Sequence, residues 1–145
     1  TRTVSTTPIP IVSIRPATTL NSITNRVKVR IESISLLSDK DVFWKVVYLP
    51  TSITSASWQN PTSHSAIQTD IAGTAIVGGI TIHSDYVAGA KGQASGGGRV
   101  PFTSKLPFAL DKAGTGQTRS LTILCARVGA QDALVSASFN WTEVR

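Results

Sequence analysis

Alternating apolar and polar positions predict a series of β-strands that starts near residue 26. Residues 26–37 alternate in this way. The apolar positions of their first half are Val27, Val29 and Ile31. Such alternation is typical of a strand with one buried face. The alternation changes phase after Ile31 and resumes at Ile34, which predicts a β-bulge near Ser33.

Four other segments predict further strands. Residues 42–49 (VFWKVVYL) are apolar on nearly both faces, which is typical of a central strand in a sandwich. Residues 119–128 and 133–144 are rich in apolar and β-branched side chains and predict the last two strands. Shorter strands are predicted at residues 66–71 and 74–83, the second interrupted by two adjacent glycines.

Glycine and proline mark the segments between these strands. Residues 88–99 (AGAKGQASGGGR) predict a mobile surface loop rather than a strand. Residues 100–110 contain two prolines, so any strand there should lie at a sheet edge. Residues 111–117 predict a turn. Seven or eight strands without an amphipathic helix predict an all-β fold, an antiparallel β-sandwich of jelly-roll-like topology over residues 25–145.

Residues 1–24 differ from the rest and predict an extended N-terminal arm. This segment is rich in threonine and contains three prolines, which favour extended backbone. Its apolar side chains argue against a solvated tail and indicate that it lies along another surface. The residues expected to bind a partner are Arg2, Ile9, Ile11, Val12, Ile14 and Arg15. The alternative is an edge strand of the same domain, because an edge tolerates proline.

The charge of the chain is concentrated in the same region. The 145 residues include 14 Lys and Arg against 8 Asp and Glu, a net charge of +6. Residues 1–31 hold five of the cations and no acid, which leaves nine cations and eight acids for the remainder. This asymmetry predicts an acidic partner, either a protein surface or a nucleic acid. Charged residues make up only 15% of the chain. The excess of strand-forming residues in the chain argues against a helical bundle and a disordered tail.

Residue types that carry catalysis or bind metals are sparse. The single cysteine, Cys125, falls in a predicted strand and is expected to be a buried, inert thiol. His83 adjoins a serine and an aspartate, but successive strand residues point to opposite faces and form no triad. Asp39 and Asp41 flank a lysine and are better explained as turn residues than as calcium ligands. We therefore expect no enzyme activity, no metal and no cofactor.

Aromatic side chains offer the best candidates for contact with a ligand. Trp44 and Trp141 fall in strands and are expected in the core. Trp58 lies in a polar loop, where it could stack on a sugar, fill a partner's pocket or fold back over the core. Tyr86 is a second candidate for contact with a ligand or receptor.

Neither a secretory signal nor a membrane segment is recognisable in the chain, so we expect a protein made in a cytoplasm with no membrane partner. The absence of Met and the small residue Thr1 favour a complete protein whose initiator was removed, with a processed product or a fragment as alternatives.

The order of segments resembles a small β-rich domain of virion structural proteins from tailed bacteriophages. The matching segments lie between residues 26 and 145 and are VKVRIESISLL, DVFWKVVYLPTSIT, AGTAIVGGITIHSDYV, LTILCARVGAQ and SASFNWTEVR. Domains of this family occur as capsid cement or decoration proteins and as parts of fibres, and they are commonly trimeric. The family has no fixed catalytic residues.

This resemblance implies a cement protein on the exterior of a phage head. Its partners would be the major capsid protein and two further copies of itself. The arm would bury its apolar residues along neighbouring subunits, while Arg2 and Arg15 would meet acidic residues of the shell. The alternative is a fibre-tip or carbohydrate-binding domain that uses Trp58 and Tyr86. A coat that binds nucleic acid is disfavoured, because five cations are few for enclosing a genome.

Overall fold

The computed structural model describes residues 1–89, 96–101, 107–108 and 119–144. Over these residues the chain forms β-strands and no helix. In chain order the strands are β1 (Arg2–Val4), β2 (Ile9–Pro16), β3 (Thr19–Leu20), β4 (Ile23–Thr24), β5 (Lys28–Ser38), β6 (Val42–Tyr48), β7 (Ser52–Thr54), β8 (Ile67–Asp70), β9 (Ala75–Val77), β10 (Ile80–Val87), β11 (Gly96–Pro101), β12 (Pro107–Phe108), β13 (Leu121–Arg127) and β14 (Ala133–Val144). The predicted turn at residues 111–117 lies outside the described residues.

Most of the strands belong to two antiparallel sheets. The first sheet has the order β1-β14-β5-β11, and β12 also pairs with β5. The second sheet has the order β10-β6-β13-β2-β8. Two small two-stranded sheets, β3–β4 and β7–β9, complete the described part of the chain. The prediction of an all-β, antiparallel fold is therefore confirmed.

Side chains from both large sheets form one shared hydrophobic core. The largest fully buried ones are Trp44, Ile14, Ile34, Leu36, Ile67 and Ile123. Each such side chain contributes about 1.5–3 kcal/mol through its removal from water. Because the two sheets bury their facing sides against each other, the molecule is a two-layer, sandwich-like structure.

The predicted bulge in the first long strand is confirmed. Along the β5–β14 pairing, Asn140 lies opposite Ser33 whereas Trp141 lies opposite Ile31, so Glu32 is the extra residue. The Asn140 Nδ2 donates a hydrogen bond of 2.9 Å to the Ser33 Oγ. The exposed Glu32 is therefore the residue at which the alternation changes phase. The apolar residues before and after it, Ile31 and Ile34, are both buried in the core.

The Gly- and Pro-rich segments were only partly anticipated. Residues 96–101, the first four of which fall in the predicted mobile loop, form β11 and pair with β5. This corrects the prediction, because glycine retains the backbone N–H and C=O groups that a neighbouring strand needs. β11 and β12 lie at the edge of the first sheet, as their prolines predict. The break predicted within residues 74–83 is also confirmed, since Gly78 and Gly79 separate β9 from β10 with φ of 66° and 94°.

The N-terminal segment is the main correction to the predicted architecture. β2 lies inside the second sheet, between β13 and β8, and is neither an arm nor an edge strand. Ile11 is 4% exposed and Ile14 is fully buried, so both belong to the core. β1 pairs with β14, which makes residues 2–4 part of the first sheet as well.

The two prolines of β2 are tolerated in this interior strand because of the register of pairing. Pro10 pairs only with β13, beside a bulge at Ile11, and lies beyond the residues that pair with β8. Pro16 pairs only with β8 and lies beyond the residues that pair with β13. Each proline therefore pairs with one neighbouring strand rather than two. Its missing N–H does not fall at a position where both neighbours pair with β2.

Candidate functional site

Arg15 and Trp58, which are remote in the sequence, meet at the β8 edge of the second sheet. The Cζ of Arg15 lies 4.2 Å from the centroid of the Trp58 ring. Both side chains are half-buried. A guanidinium over an indole face is a cation–π contact, worth about 0.5–2 kcal/mol depending on its exposure. We call Arg15, Trp58, Gln68 and Asp70 the Arg15–Trp58 cluster.

Strand pairing positions the arginine of this cluster. Arg15 on β2 lies directly opposite Gln68 on β8. The Arg15 Nε donates a hydrogen bond of 2.9 Å to the Gln68 Oε1. With one edge bonded to Gln68 and one face over Trp58, the guanidinium is held in a defined orientation.

The loop that carries Trp58 is attached to the same strand. Gln59 and Thr69 form an isolated bridge, in which each backbone N–H donates to the other residue's carbonyl at 2.8 Å. The backbone N–H of Ser57 donates to Asp70 Oδ1 at 2.7 Å. The residues on both sides of Trp58 are therefore bonded to β8, and this fixes the indole beside Arg15.

Asp70 is the buried anchor of the cluster, with 2% of its surface exposed. Besides Ser57, its carboxylate accepts hydrogen bonds from the backbone N–H groups of Ala72 and Gly73, both at 3.1 Å. Hydrogen bonds to a charged acceptor are stronger than neutral ones, so Asp70 joins the Trp58 loop to the turn after β8. The sequence interpretation missed Asp70 and Gln68. A signal for Asp70 was available in the sequence. An aspartate often accepts hydrogen bonds from backbone N–H groups two and three residues further along a turn.

The electrostatic environment of Arg15 has two opposing contributions. Partial burial lowers the pKa of the guanidinium from its ordinary value, and the charge of nearby Asp70 raises it by a smaller amount. Asp70 therefore compensates only part of the cost of burying this cation.

The other residues of the expected arm serve the fold. The Arg2 guanidinium donates through one nitrogen to the backbone carbonyl of Pro10 at 2.7 Å and also to that of Gly73. These bonds join β1 to β2 and to the turn after β8. The expected partner-binding residues that instead lie in or against the core are Ile9, Ile11, Val12 and Ile14. Of the six residues expected to bind a partner, Arg15 alone remains in the candidate site.

Tyr86 does not join the Arg15–Trp58 cluster. It is 67% exposed on β10, where its ring packs against Phe43 with centroids 5.2 Å apart. β10 and β8 are opposite edges of the five-stranded second sheet, so Trp58 and Tyr86 lie far apart on it. They cannot form one aromatic binding site.

The cysteine and two tryptophans behave as their strand positions predict. Trp44 is 1% exposed, and Trp141 is half-buried and packs against the core. Cys125 is fully buried, and burial raises the pKa of its thiol to about 12. The thiol is therefore protonated and inaccessible at neutral pH, as expected of an inert cysteine.

The acidic turn at residues 39–41 lines a pocket of about 440 Å³ at one end of the molecule, between residue 89 and residues 129–131. Asp39 Oδ1 accepts a hydrogen bond of 2.7 Å from the Leu134 backbone N–H, and Asp41 Oδ1 accepts one of 2.7 Å from Gly89. Both carboxylates thus join the turn at residues 39–41 to distant segments of the chain. In the described part of the chain, no three His, Cys, Asp or Glu side chains are grouped closely enough to hold a metal ion.

Comparison of the chain with protein-family models, with curated proteins and with solved structures finds no match. The described residues also include no helix with the length and apolar character needed to span a membrane.

Proposed function

We propose that this chain is a structural protein of a virus particle, a cement or decoration protein that binds the outer surface of a phage head. The observation that carries the proposal is the order of the strands. The first sheet, β1-β14-β5-β11, and the strands β2-β13-β6-β10 of the second each mix early and late parts of the chain. Six connections pass from one large sheet to the other: those after β1, β5, β10, β12 and β13, and the one from β2 to β5 that includes β3 and β4.

This order supports a jelly roll, in which eight strands wind back and forth between two facing sheets as two Greek keys. β8 is then an additional edge strand, contributed by the long connection between β6 and β10. Jelly rolls serve as viral capsid domains and as lectin domains. The resemblance of the sequence to virion structural proteins of tailed phages favours the capsid role over the lectin role.

Attachment to a capsid uses surfaces of the sandwich rather than an N-terminal arm. The outward face of the first sheet carries three apolar side chains that are about half exposed, Leu37, Leu134 and Val144. Exposed cations on and beside β5, Arg26, Lys28 and Arg30, supply positive charge for an acidic surface of the shell. Leu37 and Leu134 lie near one end of the β5–β14 pairing and Val144 lies at the other end, and exposed apolar side chains beside polar ones are typical of protein–protein contacts. The partners are the major capsid protein and, in a homotrimer, two further copies of this chain.

The proposed role is structural, without catalysis, cofactor or nucleic acid, and it places the protein on the virion exterior after synthesis in the host cytoplasm. The gene's neighbourhood is the first test, and we expect a major capsid gene beside it. Shells assembled from that capsid protein are then mixed with the purified chain and sedimented. Saturable co-sedimentation supports the proposal, whereas a chain that stays in the supernatant at every concentration contradicts it. Sedimentation velocity of the chain alone tests the trimer.

A second candidate function is binding of a carbohydrate or receptor at Tyr86. The observation that favours it is the 67% exposure of this ring on an edge strand. Glycan-array binding that is lost in Tyr86→Ala and retained in Trp58→Ala would support this function. An array without signal would leave the capsid role as the better explanation.

A further inference from the structure

The Arg15–Trp58 cluster presents a guanidinium whose terminal edge makes no hydrogen bond with the residues that the structure describes. Its Nε is bonded to Gln68, and its face lies over the Trp58 ring. Its hydrogen bond to the described residues is made by the Nε, and its two terminal nitrogens donate none to them. Because these nitrogens carry four N–H groups in one plane, they match the two oxygens of a carboxylate.

Asp70, the acid whose charge acts on Arg15, does not fill this position. Both oxygens of Asp70 accept hydrogen bonds from backbone N–H groups, those of Ser57, Ala72 and Gly73. Asp70 influences Arg15 through its charge alone, without an ion-pair contact. Within the described part of the chain, the terminal edge of Arg15 therefore has no carboxylate bonded to it.

The cluster is also organised before any ligand arrives. An arginine on a surface ordinarily loses side-chain entropy when it binds, but Arg15 is already oriented by Gln68 and Trp58. Tryptophan and arginine are the residues most enriched where binding energy concentrates in protein interfaces. A guanidinium held on an indole face therefore has the composition and the rigidity of an interface anchor.

We infer that Arg15 binds the carboxylate of an Asp or Glu side chain on a neighbouring capsid subunit, through two parallel hydrogen bonds from its terminal nitrogens. This inference deepens the proposed function and rests on it for the identity of the partner. Trp58 and Gln68 are positioning residues, because they hold the guanidinium rather than contact the carboxylate.

The carboxylate site is tested on the isolated protein by NMR. The Nε–H signal of Arg15 and the indole N–H signal of Trp58 are followed during titration with N-acetylglutamate. N-acetylglutaminamide, in which both carboxyl groups are amides, is the matched uncharged probe, and inorganic phosphate and N-acetylneuraminate represent other anions. We expect a saturable shift of both signals with N-acetylglutamate and none with N-acetylglutaminamide.

Variants assign the effect to the terminal edge of Arg15. Arg15→Met should weaken binding, read from the Trp58 signal, by at least about tenfold, since a hydrogen-bonded charge pair is lost. Arg15→Lys keeps the charge but not the planar pair of donors, so it should bind several-fold more weakly than the wild type. Lys45→Met removes a cation from β6 of the second sheet, outside the cluster and outside the proposed capsid-binding face, and should leave binding unchanged. Thermal unfolding of each variant verifies that the fold is retained.

Three outcomes would overturn the inference. The first is the absence of a saturable shift, and the second is equal binding by Arg15→Met and the wild type. The third is tighter binding of N-acetylneuraminate or phosphate than of N-acetylglutamate, which would indicate a sugar or phosphate ligand.

Co-sedimentation with shells separates this inference from the proposed function. If the wild type binds shells and Arg15→Met binds them equally well, the proposed function stands and the role of Arg15 is wrong. If the wild type binds no shells, the proposed function fails, and so does the assignment of a capsid subunit as partner. Loss of shell binding in Arg15→Met with retention in Lys45→Met supports both.

Discussion

The guanidinium of Arg15 lies over the indole of Trp58, with its Cζ 4.2 Å from the ring centroid. One residue belongs to an interior strand and the other to a long loop, and their contact depends on β8 lying next to both. A basic residue expected in an arm and an aromatic residue expected in a loop thus form a single surface feature.

Removal of the Trp58 ring should destabilise the protein modestly. Trp58→Ala loses the cation–π contact and part of the cover over Arg15, so the free energy of unfolding should fall by about 1–2 kcal/mol. Trp58→Phe keeps an aromatic face and should lose less than half as much. Urea unfolding followed by circular dichroism measures both. Equal stability of Trp58→Ala and the wild type would show that the contact adds nothing to stability.

Asp70 should be far more sensitive than an exposed acid. Asp70→Ala leaves three backbone N–H groups without their acceptor in a buried turn, and we expect a loss of about 3 kcal/mol or more. Asp85→Asn is the matched control, because Asp85 is exposed and should change stability by less than about 0.5 kcal/mol. Urea unfolding measures both variants, and a loss at Asp70 as small as that at Asp85 would refute its anchoring role.

The N-terminal segment should be essential for folding. Ile14→Ala removes a fully buried side chain from the core and should cost about 2–5 kcal/mol. Ile23→Ala alters an isoleucine that is 70% exposed and should be nearly neutral. Deletion of residues 1–24 removes four strands, two of which belong to the large sheets, and should abolish the cooperative unfolding transition. A truncated chain that folds stably would restore the interpretation of this segment as an arm.

Cys125 should make stability depend on pH under alkaline conditions. Burial raises the pKa of its thiol to about 12 in the folded protein from an ordinary value of 9.0, so the unfolded chain loses this proton first. The contribution of the neutral thiol is fully present below pH about 9 and declines as the pH rises toward 12. Cys125→Ala removes this contribution, so the stability difference between wild type and variant should shrink over that interval. Unfolding curves between pH 8 and about 11 test this, and a constant difference would contradict it.

Reactivity of the same thiol provides an independent measurement. A disulfide reagent at pH about 8 should leave Cys125 unmodified in the native protein and react with it after unfolding in urea. Rapid modification of the native protein would mean that β13 is more accessible than the structure indicates.

The local pattern of residues was enough to predict the strands that carry most of the core. β5 and its bulge follow from alternation and its phase change, and the central position of β6 follows from apolar residues on both of its faces. These features depend only on which side of a single strand is buried. The order of apolar and polar residues within that strand already indicates the buried side.

The candidate site could not be predicted in the same way. Arg15 and Trp58 were each singled out, but their contact requires the β2–β8 register and the bridge between Gln59 and Thr69. The buried Asp70 was missed, because the backbone groups that bind it become neighbours only when the loop closes over the sheet.

By itself, then, the sequence determined the class of fold, the phase of its long strands and the inertness of Cys125, since each depends on short-range alternation and composition. Only the tertiary structure decided the place of residues 9–16. Proline forbids one backbone hydrogen bond, and its effect on a strand depends on whether both neighbours pair at that residue. In β2 each proline meets a single neighbour, so a segment that looked like an arm became an interior strand.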